Sequence, residues 1–241
     1  MKKILVIDDE KPTLNMFQLF LSAYGYDVLT AENGTRGLEI FLKESPAIVI
    51  TDIKMPGMDG FDVLRQIKEI DPRAEVIVVT GHGDMDLALE ALNLNATDFI
   101  NKPIDKDALD AALRRAELRV EMKQNQEKKI FLQIADDIAI MEIHQNISLP
   151  QTPTLADFFE ETLKQGIKKI LLVFNEASTI NGAGIVLLQE LLTGSERRGY
   201  TIAISGLPEN FRRIFEMVGI SKRTKIFTNK DEALIYINQS K

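Results

Sequence analysis

The sequence predicts a doubly wound parallel α/β sheet followed by a second, smaller α/β domain. Three observations carry that expectation. Short apolar runs rich in branched residues recur through the first hundred residues. A helical pattern follows each of them. A second series of apolar runs resumes at about residue 130. The chain has 241 residues, 45% of them hydrophobic. At roughly 100–200 residues per domain, that is enough for two cores.

In order, ILVID (4–8) reads as a buried parallel strand. Pro12 suits the first turn of a helix whose apolar face is Leu14, Phe17 and Leu21. DVLTA (27–31) is a strand, and a helix carrying Leu38, Phe41 and Leu42 ends before Pro46. AIVITD (47–52) follows, then the turn-rich MPGMDG (55–60) and a helix with Val63, Leu64 and Ile67. EVIVVT (75–80) is the fourth strand, a helix starts near Asp84, and DFI (98–100) closes at Lys102-Pro103. From Ile104 a helical pattern runs to about residue 129. Leu109, Leu113, Ala116 and Val120 form its stripe, which fades at Lys123 and Glu127. The stripe reads as an extended last helix of the first domain. A short parallel coiled coil pairing two chains is the sharper alternative, and on it rests the expectation of a homodimer.

In the second half, FLQIA and IAIMEI flank Asp136-Asp137 as a hairpin. A helix over about 155–165 precedes the strand KILLVF (169–174). The stretch TINGAGIVLL (179–188) reads as a loop entering a helix that reaches about Arg198. YTIAIS (200–205), a helix with Phe211, Ile214, Phe215 and Val218, KIF (225–227) and a helix over 231–238 complete the chain.

Composition excludes several classes. With no cysteine, there are no disulfides and no thiolate metal sites. A net charge of −7 argues against a general electrostatic grip on nucleic acid. The opening MKKILVIDDE is broken by acids too early for a signal peptide, and no apolar run approaches a membrane span. The expectation is a cytoplasmic protein without membrane or nucleic-acid partners.

Asp8 and Asp9 end the first strand, Asp52 the third and Thr80 the fourth, and Lys102 follows the fifth. In an open parallel sheet the functional crevice lies beyond the carboxyl ends of the strands, so the reading brings all five side chains to one edge. Crowded carboxylates repel and raise one another's pKa unless a cation intervenes. An oxygen-only donor set suits Mg2+, and magnesium beside a lysine and a hydroxyl suits phosphoryl transfer.

At this point VIDDE, ITDIKMPGMDG, VVTGHGD and DFINKP resemble the receiver domain of two-component response regulators, over residues 1–118. The resemblance implies a flavodoxin-like five-stranded domain. It implies that Asp52 is the phosphoacceptor, fed by a sensor histidine kinase. Asp9, Asp52 and the Lys54 carbonyl would hold Mg2+, with Asp8 acting mainly through water. Lys102 would pair with the phosphoryl oxygens, Thr80 would move to bond one of them, and Phe99 would be the aromatic that turns inward with it. His82 would tune phosphate lifetime. One departure is Asn95, where the family usually has glycine.

Residues 130–241 resemble a STAS domain, the fold of anti-sigma-factor antagonists, with 119–129 as a linker helix continuous with the last receiver helix. Phosphorylated members of that family carry Asp-Ser-Ser-Gly at the loop. Here Asn181, Gly182 and Ala183 take the first three places, before Gly184, and Ala183 has no hydroxyl. Ser178 and Thr179 are out of register. The resemblance implies a partner surface at 178–186 for an anti-sigma factor or another STAS-containing or kinase partner, with control moved to Asp52. A metabolic enzyme would need a second catalytic constellation, and the STAS half offers none. The alternative is a nucleotide-sensing or scaffolding STAS module in which the receiver dimerises or serves as a phosphate sink. GAG falls short of a dinucleotide fingerprint, and no lysine–serine pair follows it.

Overall fold

A computed structural model describes residues 2–81, 84–125, 130–144, 146–147 and 155–240. The chain divides into two compact units, Met1–Gln126 and Glu127–Lys241.

In the first unit, strands β1 (Lys3–Ile7), β2 (Asp27–Ala31), β3 (Ile48–Asp52), β4 (Glu75–Thr80) and β5 (Asp98–Asn101) alternate with helices. The helices are α1 (Lys11–Ala23), α2 (Gly34–Glu44), α3 (Gly60–Ile70), α4 (Met85–Asn93) and α5 (Lys106–Asn125). All strand pairs are parallel, in the order β2-β1-β3-β4-β5. The order reverses between β1 and β3, which opens a crevice at their carboxyl ends. Asp8 directly follows β1, and Asp52 is the last residue of β3.

Strand alternation sorts the side chains into two layers. Ile4, Val6, Ile48, Ile50, Ile77, Val79 and Ile100 point to one face and form a single buried cluster with Leu14, Phe17 and Leu21 of α1. Leu109, Leu113 and Ala116 of α5 complete that cluster, with Val120 packed against it. This corrects the coiled-coil alternative. Leu109, Leu113, Ala116 and Val120 are the receiver's own core stripe, so they are not a free seam for a second chain, and the expected homodimer loses its basis in the sequence.

Residues 119–125, read as the start of a linker, also stay with the first unit. Lys2 Nζ donates to Glu117 at 3.1 Å and to Glu121 at 3.3 Å. Arg119 Nε pairs with the fully buried Glu75 at 2.9 Å, and Arg115 Nε with the fully buried Asp98 at 2.6 Å. Buried pairs of this kind fix geometry more than they add net stability, since desolvation offsets most of the attraction. Asn95 has φ 65°, the left-handed conformation for which glycine is the usual choice. Asparagine tolerates it, which accounts for the departure noted above.

In the second unit, β6 (Ile130–Ala135) and β7 (Ile138–Ile143) form the expected hairpin, six residues each and antiparallel. β9 (Lys169–Phe174), β11 (Thr201–Ser205) and β12 (Lys225–Phe227) extend it in parallel, in the order β12-β11-β9-β7-β6. Helices α6 (Leu155–Lys164), α7 (Gly182–Arg198), α8 (Glu209–Met217) and α9 (Lys230–Gln239) complete the unit. Ala233 and Ile237 of α9 pack on Ile138, Ile140, Leu171 and Ala203 of the sheet.

The stretch read as a loop differs in detail. Thr179–Ile180 is a short strand, β10, paired in parallel with β8 (Asn146–Ile147), and Gly182–Gly184 already belong to α7. Gly184 is required here. A Cβ would lie 2.0 Å from the Ile147 carbonyl oxygen, so a side chain would push β8 away from the helix.

Leu113→Glu should place an unpaired carboxylate in the first core and cost the receiver about 3 kcal/mol or more in urea unfolding. Unchanged unfolding with altered sedimentation alone would restore the coiled-coil reading.

Candidate functional site

Asp8 is held at the end of β1 by the turn into α1. Its Oδ1 accepts the Glu10 backbone N–H at 2.8 Å, and only 1% of the residue is exposed. Asp52 is 5% exposed, and its Oδ2 accepts the Lys54 N–H at 2.9 Å. Gly60 makes this close-packed arrangement possible. Its N–H bonds the Ile53 carbonyl at 2.9 Å, and a Cβ there would lie 2.1 Å from the Asp52 carbonyl oxygen. Glycine therefore lets α3 start directly against the backbone of Asp52.

Lys102 arrives from beyond β5. Its Nζ sits 2.8 Å from Asp52 Oδ1, 3.4 Å from Asp8 Oδ2 and 3.9 Å from Glu10 Oε2. Burial pushes the Asp8 carboxyl above its ordinary value, against the opposing pull of the Glu10 N–H and of Lys102. Burial works to lower Lys102, but its hydrogen bond and charge interaction with Asp52, then Asp8, outweigh that and raise it. Lys102 is therefore a firmly held cation between two buried carboxylates.

Beside this group lies a cavity of about 240 Å³, lined by Asp9, Glu10, Asp52, Lys54, Val79, Gly81 and Lys102. Lys54, one of the lining residues, has its Nζ 2.7 Å from Asp84 Oδ2. The cavity brings together Asp9, Asp52, Lys54 and Lys102. Asp8, Asp9 and Asp52 do not form a tight cluster: Asp9 is exposed at the rim, and Lys102 stands between the other two. Among the described residues, no three His, Asp or Glu side chains gather as a ready-made metal site. Thr80, moreover, is not among the cavity's lining residues. Strand alternation points it to the face opposite Asp52, where its hydroxyl donates to Asn101 Oδ1 at 2.7 Å. Phe99, on the same face, is already inward at 3% exposed. His82 lies outside the described residues.

The fit to magnesium can be judged from the donors. They are all oxygen: the carboxylates of Asp9 and Asp52 with the Lys54 peptide, and Glu10 adds a third carboxylate to the lining. Mg2+ is usually bound by one or two carboxylates, with water filling the remaining positions, so Asp9 and Asp52 fit it without Asp8 or Glu10 as direct ligands.

In the second unit the candidate loop residues serve the fold. Asn181 Oδ1 caps α7 by accepting the Gly184 N–H at 2.9 Å. This takes up one of the helix-end donors that a bound phosphate would use. Ser178 is 1% exposed, with its hydroxyl held between the Ile143 carbonyl and Asn175. Thr179, Gly182 and Gly184 are buried too. The surface expected over 178–186 therefore narrows to the outer side of α7, where Ala183 is half-buried and Val186 is 53% exposed.

Sequence reading gave no role to Asn101, Asp84 or Gly60. All three stand inside quoted motifs, DFINKP, VVTGHGD and MPGMDG, but their partners come from strand register and loop packing.

The response regulator receiver domain model matches residues 4–114, and the STAS domain model matches 129–233. Over 114 residues the chain is 35% identical to sporulation initiation phosphotransferase F of Bacillus subtilis (strain 168), covering 47% of this chain and 92% of that protein. It is 27% identical over 220 residues to regulatory protein AtoC of Escherichia coli (strain K12), covering 86% of this chain and 44% of AtoC. A crystal structure of a response regulator receiver domain protein from Clostridium thermocellum is 41% identical, with a TM-score of 0.48. The match covers 53% of this chain and 100% of that one. The chain spans under half the length of AtoC and about a quarter of several other curated relatives. It belongs to the response regulator receiver family and carries a STAS domain after the receiver. No helix among the described residues is long and apolar enough to cross a membrane.

Because burial raises Asp8, the folded chain keeps that proton to a higher pH than the unfolded chain does. The stability this group contributes is present at low pH and is lost as pH rises through its folded pKa. Asp8→Asn should therefore raise the melting temperature at pH 7 in magnesium-free buffer, and the gain should shrink as pH falls towards 4. A lower melting temperature at pH 7 would show that the carboxylate is held favourably despite its burial.

Proposed function

We propose that this chain is a response regulator in which Asp52 takes a phosphoryl group from a sensor histidine kinase and the STAS domain reports the change to another protein. The observation that carries the proposal is the Asp52–Lys102 pair at 2.8 Å beside the buried Asp8, on the rim of a cavity with room for a phosphoryl group. Asp52 presents Oδ1 as nucleophile. A new O–P bond forms as the N–P bond of the donor phosphohistidine breaks, and the imidazole leaves with the electron pair. Lys102 gives up its contact with Asp52 Oδ1 and bonds the phosphoryl oxygens. Asp9, Asp52 and the Lys54 carbonyl would hold Mg2+, with Asp8 reaching it through water. Bound there, the ion neutralises charge on the transferring group. Thr80, whose hydroxyl rests on Asn101, would move to bond one phosphoryl oxygen.

The output is a partner switch of the anti-sigma-factor antagonist type, with the Ala183–Val186 side of α7 as the surface that changes its availability. Three features support this. Ala183 cannot be phosphorylated, Ser178 and Thr179 are buried, and Asp52 offers an acceptor in the same chain. A few kcal/mol of differential affinity between two states suffices for a large population shift. The engagement of Gly184 N–H by Asn181 weighs against the nucleotide-sensing alternative.

Acetyl phosphate with magnesium should label the protein once, at Asp52 by mass spectrometry, and Asp52→Asn should abolish the label. One-to-one labelling of the Asn variant would defeat the assignment. After incubation with a serine kinase partner of the anti-sigma type, residues 178–186 should carry no phosphate. Phosphate there would overturn the relocation of control.

A further inference from the structure

The cavity accounts for Asp52, Lys102 and Asp9. It leaves unexplained why Thr80, 1% exposed and at the end of β4, turns its hydroxyl away. The answer lies one strand over. Thr80 and Asn101 are register partners on β4 and β5, so both side chains project from the same face of the sheet. Val78 and Phe99 are the next register pair down that face, two residues earlier on each strand. Thr80 Oγ1 donates to Asn101 Oδ1 at 2.7 Å, near the optimum for an O–H···O bond. The Thr80 carbonyl also accepts the Lys102 N–H at 2.7 Å, which ties the two strand ends together.

A hydroxyl has one proton. Thr80 can donate it to Asn101 or to a phosphoryl oxygen on Asp52, and not to both. We infer that Asn101 is a positioning residue that holds Thr80 in its resting orientation, so that phosphorylation has to break this bond before the switch can complete. This inference rests on the reading of Asp52 as phosphoacceptor. The arrangement is asymmetric in a useful way. Asn101 is half-buried, so once released its amide can find water, whereas Thr80 is buried and must exchange one acceptor for another. Asn101 thus sets the resting bias of the switch without blocking the cavity.

The consequence is opposite to that of a merely structural residue. Removing the acceptor should make the activated state easier to reach. In beryllofluoride and magnesium, Asn101→Ala should bind beryllofluoride more tightly than wild type, by about fivefold for one neutral hydrogen bond no longer broken. Asn101→Val, which suits a strand end, should do the same and guards against a folding defect in the alanine variant. In a Thr80→Ala background neither change should alter affinity. In the unmodified, metal-free protein, NMR couplings should show a single Thr80 χ1 rotamer that becomes averaged on Asn101→Ala.

Unchanged or weakened beryllofluoride binding in both Asn101 variants would overturn the inference. So would an equal gain in the Thr80→Ala background, or a Thr80 rotamer indifferent to Asn101. If wild type itself bound no beryllofluoride, the phosphoacceptor reading would fail, and the rotamer measurement would still decide the role of Asn101.

Discussion

The contact on which the receiver site depends is one ammonium between two buried carboxylates. Lys102 can be there only because β5 ends beside β4 and because Asp8 and Asp52 flank the reversal in strand order. Without the lysine, two acids almost wholly removed from water would lose the cation they share. With it, both are held as acceptors beside the cavity proposed to take a phosphoryl group. The same arrangement makes the site costly to the fold, because Asp8 stays buried against its own desolvation.

Within the receiver, the site is linked to α5. α5 gives its apolar stripe to the receiver core, and its later turns are pinned by Arg115 on Asp98 and Arg119 on Glu75. Asp98 is also next to Phe99, on the strand that carries Asn101 and leads to Lys102. A shift of β5 would act on α5 through the Arg115–Asp98 pair. This gives the proposed switch a physical element to bias, in the sense that allosteric coupling requires.

Much of this was legible in the sequence, for identifiable reasons. Parallel strands buried on both faces leave continuous apolar runs, so EVIVVT and KILLVF were read with their observed bounds. Acids and a lysine at strand ends stand out against those runs. The α5 stripe was ambiguous because a helix face apolar at spacings of four, three and four fits a sheet as well as a second helix, and only the burial of Leu109, Leu113 and Ala116 decides between them. The Thr80–Asn101 bond was hidden because register between strands is not a local property of either. The β8–β10 pairing was missed for a similar reason, since two-residue strands leave no periodicity to find.

The central claim is that phosphorylation in one unit alters a surface in the other. Hydrogen–deuterium exchange on the full chain, with and without acetyl phosphate and magnesium, tests it most directly. The account requires a change in protection along α7 near Ala183–Val186, as well as around Asp52 and β5, and its absence in Asp52→Asn. Changes confined to residues 1–126 would mean that the receiver does not speak to the STAS domain, and the proposed output would have to be abandoned.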